Sequence, residues 1–288
     1  MKIGFIGAGK VGTAFGMYLQ DNNIPIVGYY SRRVDSAVKA ARMTNSFVFE
    51  TLEELVKVVD MLFITTPDDT IEIVCNEIAE KKLFHKEQYI IHMSGAATSK
   101  ILSSAEKIGC FTFSLHPLQA FADIDKAFQD LKHTYFSIEG NAEKLYVIEE
   151  LMKKIGNPYF KVKTEDKALY HGAACILSNY LVTLMDEGLS YLKAIGISEE
   201  DGLQAMMPLI LGALNNIQTF GTQQALTGPI ARGDAGTIAG HLCHIQQTFP
   251  EKESFYKLLG LRTLELAKSE KLKDTIKVEN VMKLLSEV

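Results

Sequence analysis

The sequence predicts an α/β protein, a doubly wound parallel sheet in the N-terminal half followed by an all-α C-terminal domain. Three observations lead there. Apolar runs of strand length alternate with helix-period segments through the first half; a glycine turn joins the first run to the first helix; and strand-like runs cease near residue 163. The runs at 2–7 (KIGFIG), 24–31 (IPIVGYYS), 60–67 (DMLFITTP), 88–95 (QYIIHMSG) and 110–117 (CFTFSLHP) are apolar throughout instead of alternating. Such runs belong to strands buried on both faces of a parallel sheet. The helical segments between them make repeated β-α-β units, and right-handed crossovers wind the sheet twice.

The remaining elements follow from local signals. FVFE (47–50) predicts a short strand, and Thr51 with Glu54 forms a capping-box pair at a helix start. HTYFSIEG (133–140) and PYFKV (158–162) predict late edge strands. Residues 165–196 predict one long helix closed by a glycine, after which Ser198 caps a new helix and only helices follow. The domain boundary is therefore placed near residue 163, giving domains 1–163 and 164–288.

Composition excludes several classes. Of 288 residues, 47% are apolar and 23% charged, which is an ordinary globular balance. The net charge of −5 argues against a nucleic-acid or anionic-membrane partner. No apolar run is expected to reach the roughly 18 residues of a membrane span, and the glycine-interrupted N-terminus does not resemble a secretion signal. Cys75, Cys110, Cys175 and Cys243 are scattered, so free buried thiols in a reducing cytoplasm are expected. His241 and His244 share a helix face without an evident carboxylate, so core packing plus one exposed histidine is preferred and no metal is expected.

Gly7-Ala8-Gly9-Lys10-Val11-Gly12 is GxGxxG placed between a predicted strand and a predicted helix, the context that gives the motif meaning. Gly7 permits the tight turn, Gly9 lets a pyrophosphate approach the backbone, and Gly12 lets helix pack on strand. The helix N-terminus then offers free N–H groups to the phosphates. An NAD site usually has an acid at the end of the second strand; this chain has Ser31-Arg32-Arg33. A hydroxyl and two guanidinium groups suit a 2′-phosphate, so NADP(H) is preferred over NAD. Thr65-Thr66-Pro67 and Ser94-Gly95 end two further strands and are expected to line the cofactor.

For the chemistry, His116 ends the fifth long strand on the same sheet edge; it is either a proton donor facing the nicotinamide or a loop histidine. Lys167, His171, Cys175 and Asn179 recur at four-residue steps, one stripe of a single helix. They can bring a cation, an imidazole and an amide to a developing alkoxide, although Cys175 also reads as core and Lys167 as a solvated first-turn residue. LTGPIARGDAGT (226–237) interrupts the helical half. There Gly228-Pro229 ends one helix and Asp234 caps the next, while Arg232 either pairs with Asp234 or clamps a substrate carboxylate.

GFIGAGKVG, YSRR, TTPDD, HMSGA, SLHPLQAF, DKALYHGAACILSNYL and LTGPIARGD together resemble one bacterial Rossmann-like family along most of the chain. Its helical C-terminal half was long catalogued as a domain of unknown function. Wider relatives are the 6-phosphogluconate dehydrogenase-like group, including β-hydroxyacid dehydrogenases, ketopantoate reductases, pyrroline-5-carboxylate reductases and prephenate dehydrogenases. The resemblance implies an NADP-dependent dehydrogenase or reductase with a Rossmann cofactor domain and a helical substrate and dimerisation domain, commonly a homodimer. In prephenate dehydrogenases a His-Pro loop carries a catalytic histidine, which points to His116; the LQAF that follows departs from that pattern. In β-hydroxyacid dehydrogenases a lysine stands four residues before an asparagine on this helix; Asn179 fits, but Cys175 stands where the lysine would be. The expectation is an NADPH-dependent reductase of a small 2-oxo acid such as ketopantoate. An imine reductase, or an NADP-binding sensor without turnover, is the alternative.

Overall fold

The computed structural model of the chain describes residues 1–286. It divides into two compact units, Met1–Tyr180 and Leu181–Val288. The first holds an eight-stranded sheet: β1 (Ile3–Ile6), β2 (Ile26–Tyr30), β3 (Phe47–Val48), β4 (Met61–Ile64), β5 (Tyr89–His92), β6 (Phe111–Pro117), β7 (Phe136–Gly140) and β8 (Tyr159–Lys161). Helices α1 (Lys10–Asp21), α2 (Val34–Met43), α3 (Leu52–Val58), α4 (Asp68–Glu80), α5 (Ser103–Glu106), α6 (Ile124–Leu131) and α7 (Leu145–Ile155) connect them, and α8 (Lys167–Leu177) follows. The strand order is 3-2-1-4-5-6-7-8; β1 to β6 run parallel, and β7 is antiparallel to β6. The order reverses between β1 and β4, and a crevice at the strands' carboxyl ends opens at such a switch point.

The continuous apolar runs are explained by two cores, one on each face. Phe5 and Phe63 belong to the core shared with Phe15, Phe113 and Phe136, whereas their neighbours Ile6 and Ile64 belong to the other, with Leu55 and Ile78. Phe5 lies between Tyr29 and Phe63, ring centroids 5.2 and 5.1 Å away. The Thr51–Glu54 capping box opens α3 as the spacing predicts.

The second unit is helical: α9 (Asn179–Ala194, beginning two residues before the unit does), α10 (Glu199–Ala225), α11 (Pro229–Arg232), α12 (Ala235–Thr248), α13 (Glu253–Glu270) and α14 (Thr275–Ser286). Ile230, Ile238, Leu242, Leu264 and Val281 form its core. Ser198 caps α10 through the Asp201 amide.

Four expectations are corrected. The single helix over 165–196 is broken at Ser178 (φ −117°, ψ −69°), so α8 and α9 are separate. The stretch Thr164–Ala194 is, by length and composition alone, apolar enough to cross a membrane, although no continuous run stood out in the sequence. Among the cysteines only Cys75 and Cys110 are buried; Cys175 is half-buried and Cys243 exposed. Core packing at His241 and His244 is also corrected: both are exposed, engaged separately by the Tyr256 hydroxyl and the Gly240 carbonyl.

Candidate active site

Parallel pairing brings the ends of β1, β2, β4 and β5 level: Ile6 pairs with Tyr30 and with Ile64, and Ile64 with His92. The loops that follow therefore gather on one edge. Gly7 adopts φ +98°, where a side chain is strained, and a Cβ there would press on the Thr65 backbone. A Cβ on Gly12 would run into the Thr65 hydroxyl, so α1 reaches this close to β4 only with glycine. Gly9, the N-cap of α1, faces open space, and no acid stands in that helix's first turn. Free amides and an uncompensated positive helix end are thus presented to an anion.

These loops enclose a cavity of about 840 Å³, lined by Gly7, Ala8 and Gly9, by Ser31, Arg32 and Arg33, and by Thr65, Thr66 and Pro67. Lys10 and Val11 continue into α1 rather than into the lining. The Thr65 hydroxyl bonds the Gly7 carbonyl at 2.8 Å, tying the loop after β4 to the glycine turn. The Thr66 hydroxyl is buried without a partner. At the far end Arg32 and Arg33 are exposed, and Ser31 Oγ accepts from the Arg33 amide at 3.3 Å. A glycine cradle, an orphaned hydroxyl and two free guanidinium groups fit a phosphorylated dinucleotide.

A second cluster lies further along the same edge. The Ser94 hydroxyl donates to Asp68 at 2.6 Å and accepts from the Ala96 and Ala97 amides, which shapes the loop holding Gly95. Over Gly95 two imidazoles close in. A Cβ built there would lie 2.7 Å from His116 Nε2 and 2.8 Å from His171 Nδ1. Two ring nitrogens on different elements therefore lie on the same side of Gly95, both crowding the position that a side chain there would take. His171 Nδ1 is buried without a partner, while its Nε2 faces Cys175 Sγ at 3.5 Å. His116 Nδ1 meets the Tyr170 hydroxyl at 2.6 Å.

Lys167 is fully buried, which removes the reading of a solvated first-turn residue. Its ammonium donates to Ser114 Oγ at 2.7 Å, and burial pulls its pKa down to about 8 against the opposing effect of Glu139. Glu139 is itself buried and saturated by the Ser99 amide, the Ser99 hydroxyl and the Thr164 hydroxyl. Burial, followed by the Lys167, His171 and His92 charges, lowers His116 to about 3. His92, also buried, is lowered to about 4. Both are neutral imidazoles at ordinary pH.

The fold thus gathers His116, His171 and Lys167 with Ser94 and Gly95. Sequence reasoning missed Tyr170 and Glu139. Tyr170 adjoins His171 on α8, but nothing in the linear sequence ties it to His116 on β6. Asn179 opens α9, one residue past the break at Ser178. In the second unit, Gly228 (φ +96°) precedes Pro229 and Gly233 (φ +68°) ends α11. Asp234 caps α12 by accepting from the Thr237 amide and hydroxyl. Its carboxyl is held below the usual range by those bonds, then more weakly by Arg232. Arg232 is exposed.

A Rossmann-like domain model matches residues 1–117, and a model described as a domain of unknown function, DUF2520, matches residues 134–263. The chain is a Rossmann-like protein with a DUF2520 domain. The same architecture is found in protein TM1727 from Thermotoga maritima, with 25% identity and a TM-score of 0.76 over 94% of this chain and 100% of that one. BF3122 from Bacteroides fragilis, provisionally assigned as an NADP oxidoreductase, shares the fold at 22% identity and TM-score 0.73, covering 92% and 98%. Plasmodium falciparum pyrroline carboxylate reductase, solved with NADP bound, shares it at 16% identity and TM-score 0.59, covering 99% and 98%. Other pyrroline-5-carboxylate reductases and imine reductases have the same fold as this DUF2520 protein. Among curated protein sequences none matches it significantly.

Proposed function

We propose that this protein is an NADPH-dependent oxidoreductase that reduces a small carbonyl compound bearing a carboxylate, a 2-oxo acid such as ketopantoate. The observation that carries the reading is the convergence of His116 Nε2 and His171 Nδ1 over Gly95, on the sheet edge that also holds the glycine cradle. The cradle of Gly7 to Gly12, with Thr65-Thr66-Pro67 and Ser94-Gly95, holds the dinucleotide, and Ser31, Arg32 and Arg33 hold its 2′-phosphate.

A bound NADPH supplies a hydride to the carbonyl carbon. As the π electrons moved onto oxygen, His116 and His171 would hydrogen-bond the growing negative charge, and one of them would pass on a proton to complete the alcohol and recover it from solvent. A neutral imidazole suits the polarising part, because it donates without the cost of burying a cation. Lys167 stands behind this pair on Ser114 and adds positive potential. Asn179 is assigned to orient the alkoxide. Arg232 is assigned to the substrate carboxylate, supported by its exposed fork, with Asp234 holding the loop that bears it. The exposed apolar side chains of α8 to α10 support a homodimer, and the cytoplasm is assigned as its location.

The fold shared with pyrroline-5-carboxylate and imine reductases favours one second reading, a cyclic imine as substrate. NADPH oxidation with ketopantoate and related 2-oxo acids, set against pyrroline-5-carboxylate, separates the two. Turnover of an oxo acid is expected. Turnover of the imine alone sinks the carbonyl reading, and tight NADPH binding with no turnover across the panel leaves a sensor.

A further inference from the structure

We propose that Tyr170 is the positioning residue that sets the tautomer of His116, so that His116 Nε2 offers a donor to a carbonyl oxygen and not an acceptor to an iminium N–H. This deepens the reductase reading and rests on it for the identity of the bound group.

The phenol is well fixed. Its oxygen is 2.6 Å from His116 Nδ1, the two rings meet edge to face at 5.8 Å, and Phe160 packs edge-on against the other side at 5.8 Å. The Lys167 ammonium lies 5.5 Å from the Tyr170 ring centroid. Lys167, Tyr170 and His171 all stand on the first turns of α8, so one helix delivers the cation, the phenol and the second imidazole together.

A neutral imidazole carries one N–H and one bare nitrogen, and the hydrogen bond at one nitrogen decides the state of the other. Tyr170 brings one proton; His116 Nδ1 lies 2.6 Å from its oxygen, and the Ser137 side chain, which also interacts with the phenol, is a far weaker base than an imidazole nitrogen. Phenol is the stronger acid of the two and the imidazole nitrogen the stronger base, so the hydroxyl donates and Nδ1 is bare. His116 must then carry its proton on Nε2, the nitrogen that faces the space over Gly95. A carbonyl oxygen accepts that N–H. A protonated imine has an N–H of its own and no lone pair, so at His116 Nε2 it meets donor against donor, and only its unprotonated form accepts that N–H. The carboxylates nearby are engaged elsewhere, Glu139 by Ser99 and Thr164 and Asp68 by Ser94.

Nitrogen-15 NMR of histidine-labelled full-length protein reads the tautomer directly, with His116→Gln identifying the signals. His116 is expected with a protonated Nε2 and a bare Nδ1. Tyr170→Phe should move it toward a mixed or reversed tautomer, lower kcat for the oxo acid by about tenfold with little change in KM, and narrow the preference for oxo acid over imine. A wild-type His116 carrying its proton on Nδ1 overturns the proposal without any variant, as does a tautomer unmoved by Tyr170→Phe. If no oxo acid turns over, the reductase reading falls while the NMR result still decides what Tyr170 does. Imine turnover above oxo-acid turnover, with Nε2 protonated, overturns the selection argument alone.

Discussion

Helices α1 and α9 have similar lengths and similar mean hydropathy, yet they end up in opposite situations. Seven of the twelve residues of α1 are buried, Phe15 and Leu19 completely, because the helix lies on the sheet. None of the sixteen residues of α9 is buried, and Tyr180, Val182 and Leu184 stand exposed. The same holds for Leu169, Ile176 and Leu177 on α8 and for Leu209, Leu211 and Phe220 on α10. Apolar surface on this scale marks an interaction site. Apart from Phe47, Val48 and Phe160 on its edge strands, the sheet buries its apolar residues within the chain, whereas these helices leave theirs exposed, and a second copy is the proposed occupant. An apolar face is a demand, and amphipathicity does not say which body meets it.

The largest test of that contrast compares one core residue with one exposed residue. Phe5→Ala removes a ring stacked between Tyr29 and Phe63 and should cost about 3–5 kcal/mol in urea unfolding. Leu209→Ala, 70% exposed, should stay within about 0.5 kcal/mol at concentrations low enough to keep the chain monomeric. Equal losses would erase the distinction.

A smaller effect separates the regions by pH. His92 and His116 in the sheet unit have folded pKa values of about 4 and about 3 against 6.5 when unfolded. Between these values the unfolded chain binds protons that the folded chain refuses, so stability must fall as pH drops from 6.5 toward 3. His92→Gln should flatten that slope in denaturant titrations at stepped pH. An unchanged slope would mean that other groups carry the acid sensitivity.

The smallest effect sits at the exposed rim of the cofactor cavity. Arg32→Ala should reduce the preference for NADPH over NADH by about tenfold while leaving thermal stability unchanged, read from Kd values for both cofactors. A retained preference would remove the guanidinium from 2′-phosphate recognition.

The GxGxxG turn, the doubly buried strands and the capping signals at Thr51, Ser198 and Asp234 were legible because each is a local rule. Spacing, backbone freedom and short-range hydrogen bonds are written within a few residues of one another. Half of the candidate site was legible in the same way, since His116 and His171 each stand at a predicted position of an element. Their meeting over Gly95 was not. Nor was the stop at Ser178 that separates α8 from α9, nor the Tyr170 hydroxyl against an imidazole fifty-four positions earlier in the chain. By itself the sequence determined the sheet, the cradle and the types of side chain available for the chemistry. Only the tertiary structure decided which of them share a space and how far burial drives Lys167, His92 and His116 from their ordinary protonation. The reason is physical: periodicity is a property of neighbours along the chain, whereas desolvation and hydrogen-bond partnership belong to whatever the fold brings alongside.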